Sequence, residues 1–216
     1  MGVKLYTLNL SPPVRATMMA CDIFNVPFER VEVNLIAKDH LKPEFLKKNP
    51  LHTVPVLEDG NLILHDSHAI LAYLADAYGK DESWYPKDVK KRALVNQKLF
   101  FNTSILFPRM RNVTFPLILE RNKNIDPKRY DEIAEAYSFV EEFLSRTTYL
   151  AADDITIADV AAFSSMTGLE VLLPIDEKKF PKTTAWMAKL KQTPFSKNQN
   201  ESGAAALAAL IKKCLA

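Results

Sequence analysis

Ser11 stands in the run Leu10-Ser11-Pro12-Pro13-Val14-Arg15, with no cysteine beside it. The stretch Val3 to Leu8 before it alternates like a half-buried strand. Pro13 suits the first position of a helix, where a missing N–H costs nothing. The hydroxyl is therefore placed where a strand ends and a helix begins. Amides without intrahelical partners and the positive end of the helix dipole favour an anion at such a place, and a thiol with a pKa near about 8.5 ionises when its anion is stabilised. Ser11 can act there as a hydrogen-bond donor to a sulfur that another molecule brings. The plainer alternative is a serine that only caps its helix.

A second group of candidates lies between residues 51 and 70. Leu51-His52-Thr53-Val54-Pro55-Val56-Leu57 leads into Glu58-Asp59-Gly60-Asn61, a hairpin signal; a strand over Leu62 to His65 follows, and Asp66-Ser67-His68-Ala69-Ile70 opens a helix. Asp66 and Ser67 thus mark another helix start, able to face the first across a sheet. The residue before Pro55 is expected to be extended, and with a cis bond the N–H and C=O of Val54 could point outward as a short edge for a peptide. The implied ligand is peptide-like, with a thiol at one end.

These residues, together with His40-Leu41-Lys42-Pro43-Glu44-Phe45, Asn49-Pro50 before Leu51, and Thr156-Ile157-Ala158-Asp159, carry a resemblance that covers essentially the whole chain. The sequence resembles the cytosolic glutathione transferases, in particular the insect delta/epsilon group. Delta members usually have Glu-Ser-Arg where this chain has Asp66-Ser67-His68, so the likeness is greater to epsilon. The resemblance implies that Ser11 donates a hydrogen bond to the glutathione sulfur and that the thiolate attacks an electrophilic carbon. It places the γ-glutamyl amine at Asp66 and its carboxylate at Ser67, the cysteinyl backbone at Val54, and the glycine carboxylate near His40 and His52. Leu10, Thr53, Pro55, His68 and Arg111 complete the implied glutathione contacts. His40 could equally be an exposed helix-start residue, and His68 could instead line a boundary between subunits.

The elements that must hold these groups follow from periodicity. Strands are expected at Val3 to Leu8, Phe28 to Val33, Val54 to Glu58 and Leu62 to His65, and helices at Pro13 to Phe24, Lys42 to Lys48 and Ser67 to Tyr78, a thioredoxin-like order. Redox thioredoxins have Cys-x-x-Cys at the first strand-to-helix turn; Ser11-Pro12-Pro13-Val14 removes both thiols, so the nucleophile must be imported. After Tyr78 the pattern becomes helical. The expected organisation is an α/β thioredoxin-like domain over 1–79, a linker over 80–88 clasped by Trp84-Tyr85, and an all-α domain over 89–216.

In the second half, Asp126-Pro127 should start a helix running to about Ser145. Thr156-Ile157-Ala158-Asp159 has capping-box spacing, which assigns Asp159 to folding rather than chemistry. Phe107, Met110, Arg111, Thr114 and Ile118 recur on one helix face that Pro108 and Pro116 should bend or interrupt. Periodicity alone makes this stripe core. The resemblance instead makes Phe107, Met110, Thr114 and Ile118 an apolar electrophile site, with Leu8, Leu10, Pro13 and Leu35 contributed by the first domain. The Ala-rich stretch Gly203 to Ile211 is either a cover over the pocket or a last packing helix.

With 216 residues and 48% apolar content, the chain can fill a sizeable core. The net charge of +2 divides into −1 through Lys80 and +3 after it, so neither half is a polyanion-binding surface and nucleic acid is not an expected partner. Cys21 and Cys214 form neither a disulfide framework nor a metal motif, which fits a reducing compartment. No signal sequence or apolar span is recognisable, and Tyr6 stands where a myristoylation motif needs Ser or Thr, so a cytoplasmic protein with no membrane partner is expected. The leading functional expectation is a homodimeric glutathione transferase using glutathione as co-substrate, with no metal and with peroxidase or dehydrohalogenase side activity open. A noncatalytic carrier of hydrophobic ligands in the same cleft is the alternative; a scaffold role fits less well with the full set Ser11, His52, Val54-Pro55 and Asp66-Ser67.

Overall fold

The computed structural model describes residues 2–35 and 37–216. Its first part runs β1 (Val3–Thr7), α1 (Pro12–Ile23), β2 (Phe28–Glu32), a 3₁₀ turn (Asp39–Leu41), α2 (Pro43–Leu46), β3 (Val56–Asp59), β4 (Leu62–His65) and α3 (Ser67–Tyr78). The four strands form one mixed sheet in the order β2-β1-β3-β4. β1 pairs in parallel with β2, and β3 pairs antiparallel with both β1 and β4. This is the expected thioredoxin-like arrangement, and the sheet order explains its local sequence: β1 is central, so Val3, Leu5 and Thr7 are buried on one face. On the other face Tyr6 meets the ring of Phe45 from α2 edge-on, at 5.8 Å.

The second part is helical: α4 (Val89–Phe101), a π-helical turn (Asn102–Leu106), α5 (Phe107–Leu119), α6 (Lys128–Arg146), α7 (Ile157–Leu172), α8 (Pro181–Lys191), α9 (Pro194–Gln199) and α10 (Glu201–Leu215). Asp126 caps α6 by accepting from the Lys128 amide at 3.0 Å. Between α3 and α4 the Trp84 ring meets Phe24 and Phe195 edge-on, so the connecting segment is pinned to both parts. One cluster of buried side chains runs from Val3 and Leu5 through Val14, Met18 and Met19 of α1 to Ala158, Ala162 and Phe163 of α7. α1 is thus the shared wall of the two parts, buried on the sheet side and on the α7 side.

Of the two expected effects of the prolines on the 107–118 helix, bending or interruption, interruption does not occur. Pro116 lies inside α5 without ending it. Pro108 sits in the first turn of α5, just after the π-helical turn, where the Phe107 amide donates to Asn102 O. A proline ring clashes with the carbonyl four residues earlier, here that of Ser104, and a π turn widens the helix at that point. The helical path continues where interruption was expected. The sequence gives no periodic signal for one inserted residue, and the lone Pro108 was its only trace.

Candidate active site

The strand register brings the candidate loops together. Thr7 pairs with Glu32, Tyr6 with Val56, and Val56 with His65. The end of β1, the end of β2, the start of β3 and the end of β4 therefore lie at one end of the sheet. From that end leave Leu8 to Ser11, the loop to His40, the segment His52 to Pro55, and Asp66-Ser67. Three inter-strand spacings span about 14 Å, wide enough for a short extended peptide to lie across them.

Ser11 occupies the N-cap position of α1 with extended backbone, φ −80° and ψ 117°, yet its side chain makes no capping hydrogen bond. The helix begins at Pro12, one residue before the expected start, so both of its first two positions are prolines; the second-position amide, one of the two a cap can bond, does not exist, while the third-position amide of Val14 remains. This also trims the expected amide-rich anion trap: Pro12 and Pro13 contribute no N–H, which leaves the Ser11 hydroxyl and the Val14 N–H as donors. The turn itself is rigid. Ser11 N–H donates to Leu8 O at 2.8 Å, Ser11 O accepts from Arg15 N–H at 3.0 Å, and Ser164 Oγ of α7 donates to Pro12 O.

The segment before β3 is organised by Asn49, a buried residue whose role is not visible in the Asn49-Pro50 motif itself. Its Nδ2 donates to Thr53 O at 2.9 Å and to Thr53 Oγ1 at 3.0 Å, and its Oδ1 accepts from Leu51 N–H at 2.9 Å. Only an amide side chain both donates and accepts in this way. His52 is held at φ +47° in this loop, and the Val54-Pro55 bond is cis, the condition attached to an outward-facing Val54. Among the described residues the Val54 N–H and C=O take part in none of the turn or loop hydrogen bonds. The His40 and His52 rings lie 6.1 Å apart. His40 Nδ1 is buried without a partner, and burial, reinforced by His52, lowers the His40 pKa from its ordinary value.

Asp66 precedes α3 at φ +73° and ψ 117°, outside the ordinary regions for a side-chain-bearing residue. Its Oδ1 accepts from the amides of His68 at 2.8 Å and Ala69 at 3.3 Å, so this carboxylate does cap its helix. The His68 side chain, together with those amides, pushes its pKa down to about 2. It remains an anion at neutral pH. Ser67 is buried at the first helical position. The His68 ring lies between Asp66 and the helical part, with Nδ1 3.4 Å from Asp66 Oδ1 and 3.0 Å from Thr103 Oγ1, and Nε2 2.9 Å from Asn102 Nδ2. The π-helical turn so meets the start of α3, a link that sequence periodicity could not disclose.

On α5 the expected stripe divides. Met110 and Thr114 are buried, Phe107 and Ile118 are half-buried, and Arg111 is exposed. Met110 packs where a Cβ on Gly168 of α7 would collide with it, and Thr114 Oγ1 donates back to Met110 O at 3.1 Å. The Arg111 guanidinium lies 3.9 Å over the Phe115 ring, so its stem and charge have a partner at the surface and need no buried anion. α10 packs against α5 and α7, with Leu207 and Ile211 buried beside Leu117 and with Leu10 and Ile118 at the border of that cluster. Leu8, Pro13 and Leu35 are likewise neither fully buried nor fully exposed.

Residues 5–83 match the family model described as the glutathione S-transferase N-terminal domain, and residues 89–194 match that of the glutathione S-transferase C-terminal domain. The chain belongs to the glutathione S-transferase family. Glutathione S-transferase 1 of Manduca sexta is 40% identical over 205 residues, with 94% of each chain covered. An epsilon-class glutathione S-transferase from the housefly, Musca domestica, superposes with a TM-score of 0.96 at 46% identity over 98% of each chain. A glutathione transferase homologue from Drosophila mojavensis with bound glutathione gives 0.95 at 41% identity, covering 98% of this chain and 97% of that one. As a family member the chain is a transferase for which glutathione is co-substrate, and its structural neighbours include epsilon-class enzymes. Among the described residues no helix is long and apolar enough to cross a membrane.

Proposed function

We propose that the Ser11 hydroxyl donates a hydrogen bond to the glutathione sulfur, and that the resulting thiolate attacks hydrophobic electrophiles held between the two domains. The observation that carries this reading is the free Ser11 hydroxyl at a helix start stripped of its first two amides. Glutathione lies across the end of the sheet in the first domain, residues 1–79. Its γ-glutamyl amine meets the Asp66 carboxylate and its α-carboxylate meets Ser67. Its cysteinyl backbone pairs with the free main chain of Val54, beside Leu10, Thr53 and Pro55, and its glycine carboxylate lies near His40 and His52. The pKa of about 2 at Asp66 supports its role, because the carboxylate keeps its charge from about pH 2 upward, across the range in which the enzyme meets a protonated amine. His68 contributes by holding the Asp66 turn against the π-helical segment.

In substitution, the thiolate forms the S–C bond as the leaving group departs with its bonding electrons; in addition, the electrophile takes up a proton. The hydroxyl stabilises the sulfur anion before attack, which is activation by a lowered thiol pKa. The residues from 89 on, after the linker 80–88, supply Phe107, Met110, Thr114 and Ile118 to the apolar wall opposite Leu8, Leu10, Pro13 and Leu35. Arg111 stands at its exposed rim, towards glutathione. The chain works as a homodimer, supported by the exposed apolar residues Ile63 of β4 and Leu94 and Phe100 of α4. The cytoplasm suits its two free cysteines.

The test is conjugation of glutathione to a chlorinated dinitrobenzene by the intact chain and by Ser11→Ala, with thiolate absorbance of bound glutathione followed against pH. Loss of rate together with a raised thiol pKa in the variant supports the assignment. Glutathione binding without turnover in the intact chain replaces it with the carrier.

A further inference from the structure

Arg15 is the largest fully buried side chain of the protein. Burying an arginine is tolerable when a carboxylate meets it, and among the described residues none does. Nε donates to Asn200 Oδ1 at 2.8 Å, Nη1 to Leu10 O at 2.9 Å and Asn9 O at 3.4 Å, and Nη2 to Thr167 Oγ1 at 3.1 Å and Ser164 O at 3.5 Å. Every acceptor is neutral, whether it comes from the turn before α1, from α7 or from the start of α10. Burial without a counter-ion pushes the pKa down to about 9, so the group still carries its charge at neutral pH. A lone buried cation is costly to keep, and replacing such groups with apolar ones often stabilises a protein.

The surroundings close over it. A Cβ on Gly203 would run into Asn9 O and Arg15 Cδ, so the first turn of α10 lies directly on the guanidinium stem and excludes water. The cation is one peptide unit from Ser11, because Nη1 is bonded to the carbonyl of Leu10. It also joins the parts: Asn200 and Thr167 belong to the helical half, Leu10 and Ser11 to the sheet half.

We propose that Arg15 is a positioning residue for the conjugation: its carboxylate-free guanidinium fixes the Leu10-Ser11 turn against the helical domain and supplies the buried positive charge that favours a sulfur anion beside the Ser11 hydroxyl. This rests on the reading of Ser11 given above. A neutral site would offer the thiolate one hydroxyl bond; a water-excluded cation behind the turn adds a field that strengthens as the dielectric falls.

Asn200→Asp tests it. The change keeps the shape of the side chain and places a carboxylate against Nε, which neutralises the field while adding an attraction that holds the fold. The expected result is a folded protein, equal or raised in Tm, in which the midpoint of thiolate formation by bound glutathione and the acid limb of the kcat/KM profile both move up by about one unit. Arg15→Gln should move them in the same direction at a lower Tm. A purely structural arginine would leave both midpoints where they are, and that outcome in a folded, glutathione-binding Asn200→Asp overturns the proposal. Loss of folding in both variants assigns Arg15 to stability and also overturns it. Should the intact chain neither bind nor conjugate glutathione, the fault lies with the reading of Ser11.

Discussion

The starts of α1 and α7 are both polar, both signalled in the sequence, and used in opposite ways. At α7 every available interaction is committed: Asp159 accepts from the amides of Leu150 and Thr156, from Thr156 Oγ1 and from Trp186 Nε1, all between 2.9 and 3.1 Å. At α1 the equivalent polar group, the Ser11 hydroxyl, makes no capping bond, and prolines occupy the first two helical positions. A conspicuous carboxylate fully engaged by the fold has nothing left for chemistry. A modest hydroxyl with no internal partner does. The start of α3 lies between the two, with Asp66 capping through one oxygen while staying exposed to solvent.

The comparison breaks if the two ends respond alike to mutation. Asp159→Ala removes a buried carboxyl group from four donors and leaves them unsatisfied, so a loss of about 3 to 5 kcal/mol in urea unfolding is expected. The bound thiol of whatever fraction stays folded should titrate as before. For Ser11→Ala the pattern reverses: kcat/KM falls by about 10² to 10³, the effect of losing one oxyanion donor, while unfolding free energy changes by less than about 0.5 kcal/mol. A Ser11→Ala protein that conjugates at the original rate would remove Ser11 from the mechanism. Asp66→Ala should show both signatures, weaker. Its glutathione KM rises about tenfold through the lost charge-assisted bond, and stability falls by about 1 kcal/mol through the lost cap.

The smallest effect is in the acid range. Asp66 has a folded pKa of about 2 against an ordinary 3.8, so its stabilisation is fully present above pH 4 and disappears as pH falls through 2. In Asp66→Asn that contribution should be missing from the difference between stability at pH 4 and at pH 2. An unchanged acid unfolding curve would show that the cap is not held by charge.

Much of this was legible before any coordinates. Alternation marks β1, the turn at Gly60 marks the hairpin of β3 and β4, and Thr156-x-x-Asp159 marks its own capping box, because each signal is local. The bounds of α1 were off by one residue, and that residue matters, since it decides whether one or two amides are missing. What stayed hidden depends on distant partners. Nothing in the sequence near Arg15 announces Asn200 and Thr167, and nothing near His68 announces Asn102. Asn49 was in view as part of a motif, but its role as the tie of the His52 loop needs the bonds to Leu51 and Thr53. Arg111 shows the opposite limit: periodicity groups it with a core stripe, and the structure exposes it over a neighbouring aromatic ring at the surface.

α1 lies with its sheet side and its α7 side in a single run of buried residues. Neither half of the molecule can therefore keep its interior dry without the other, and the boundary near residues 80–88 is a seam in topology but not in thermodynamics. Heating should produce one calorimetric transition for the subunit, with the amides of α1 exchanging with solvent only through global opening. A chain cleaved in that segment would leave two fragments that must reassociate before Ser11 regains its place.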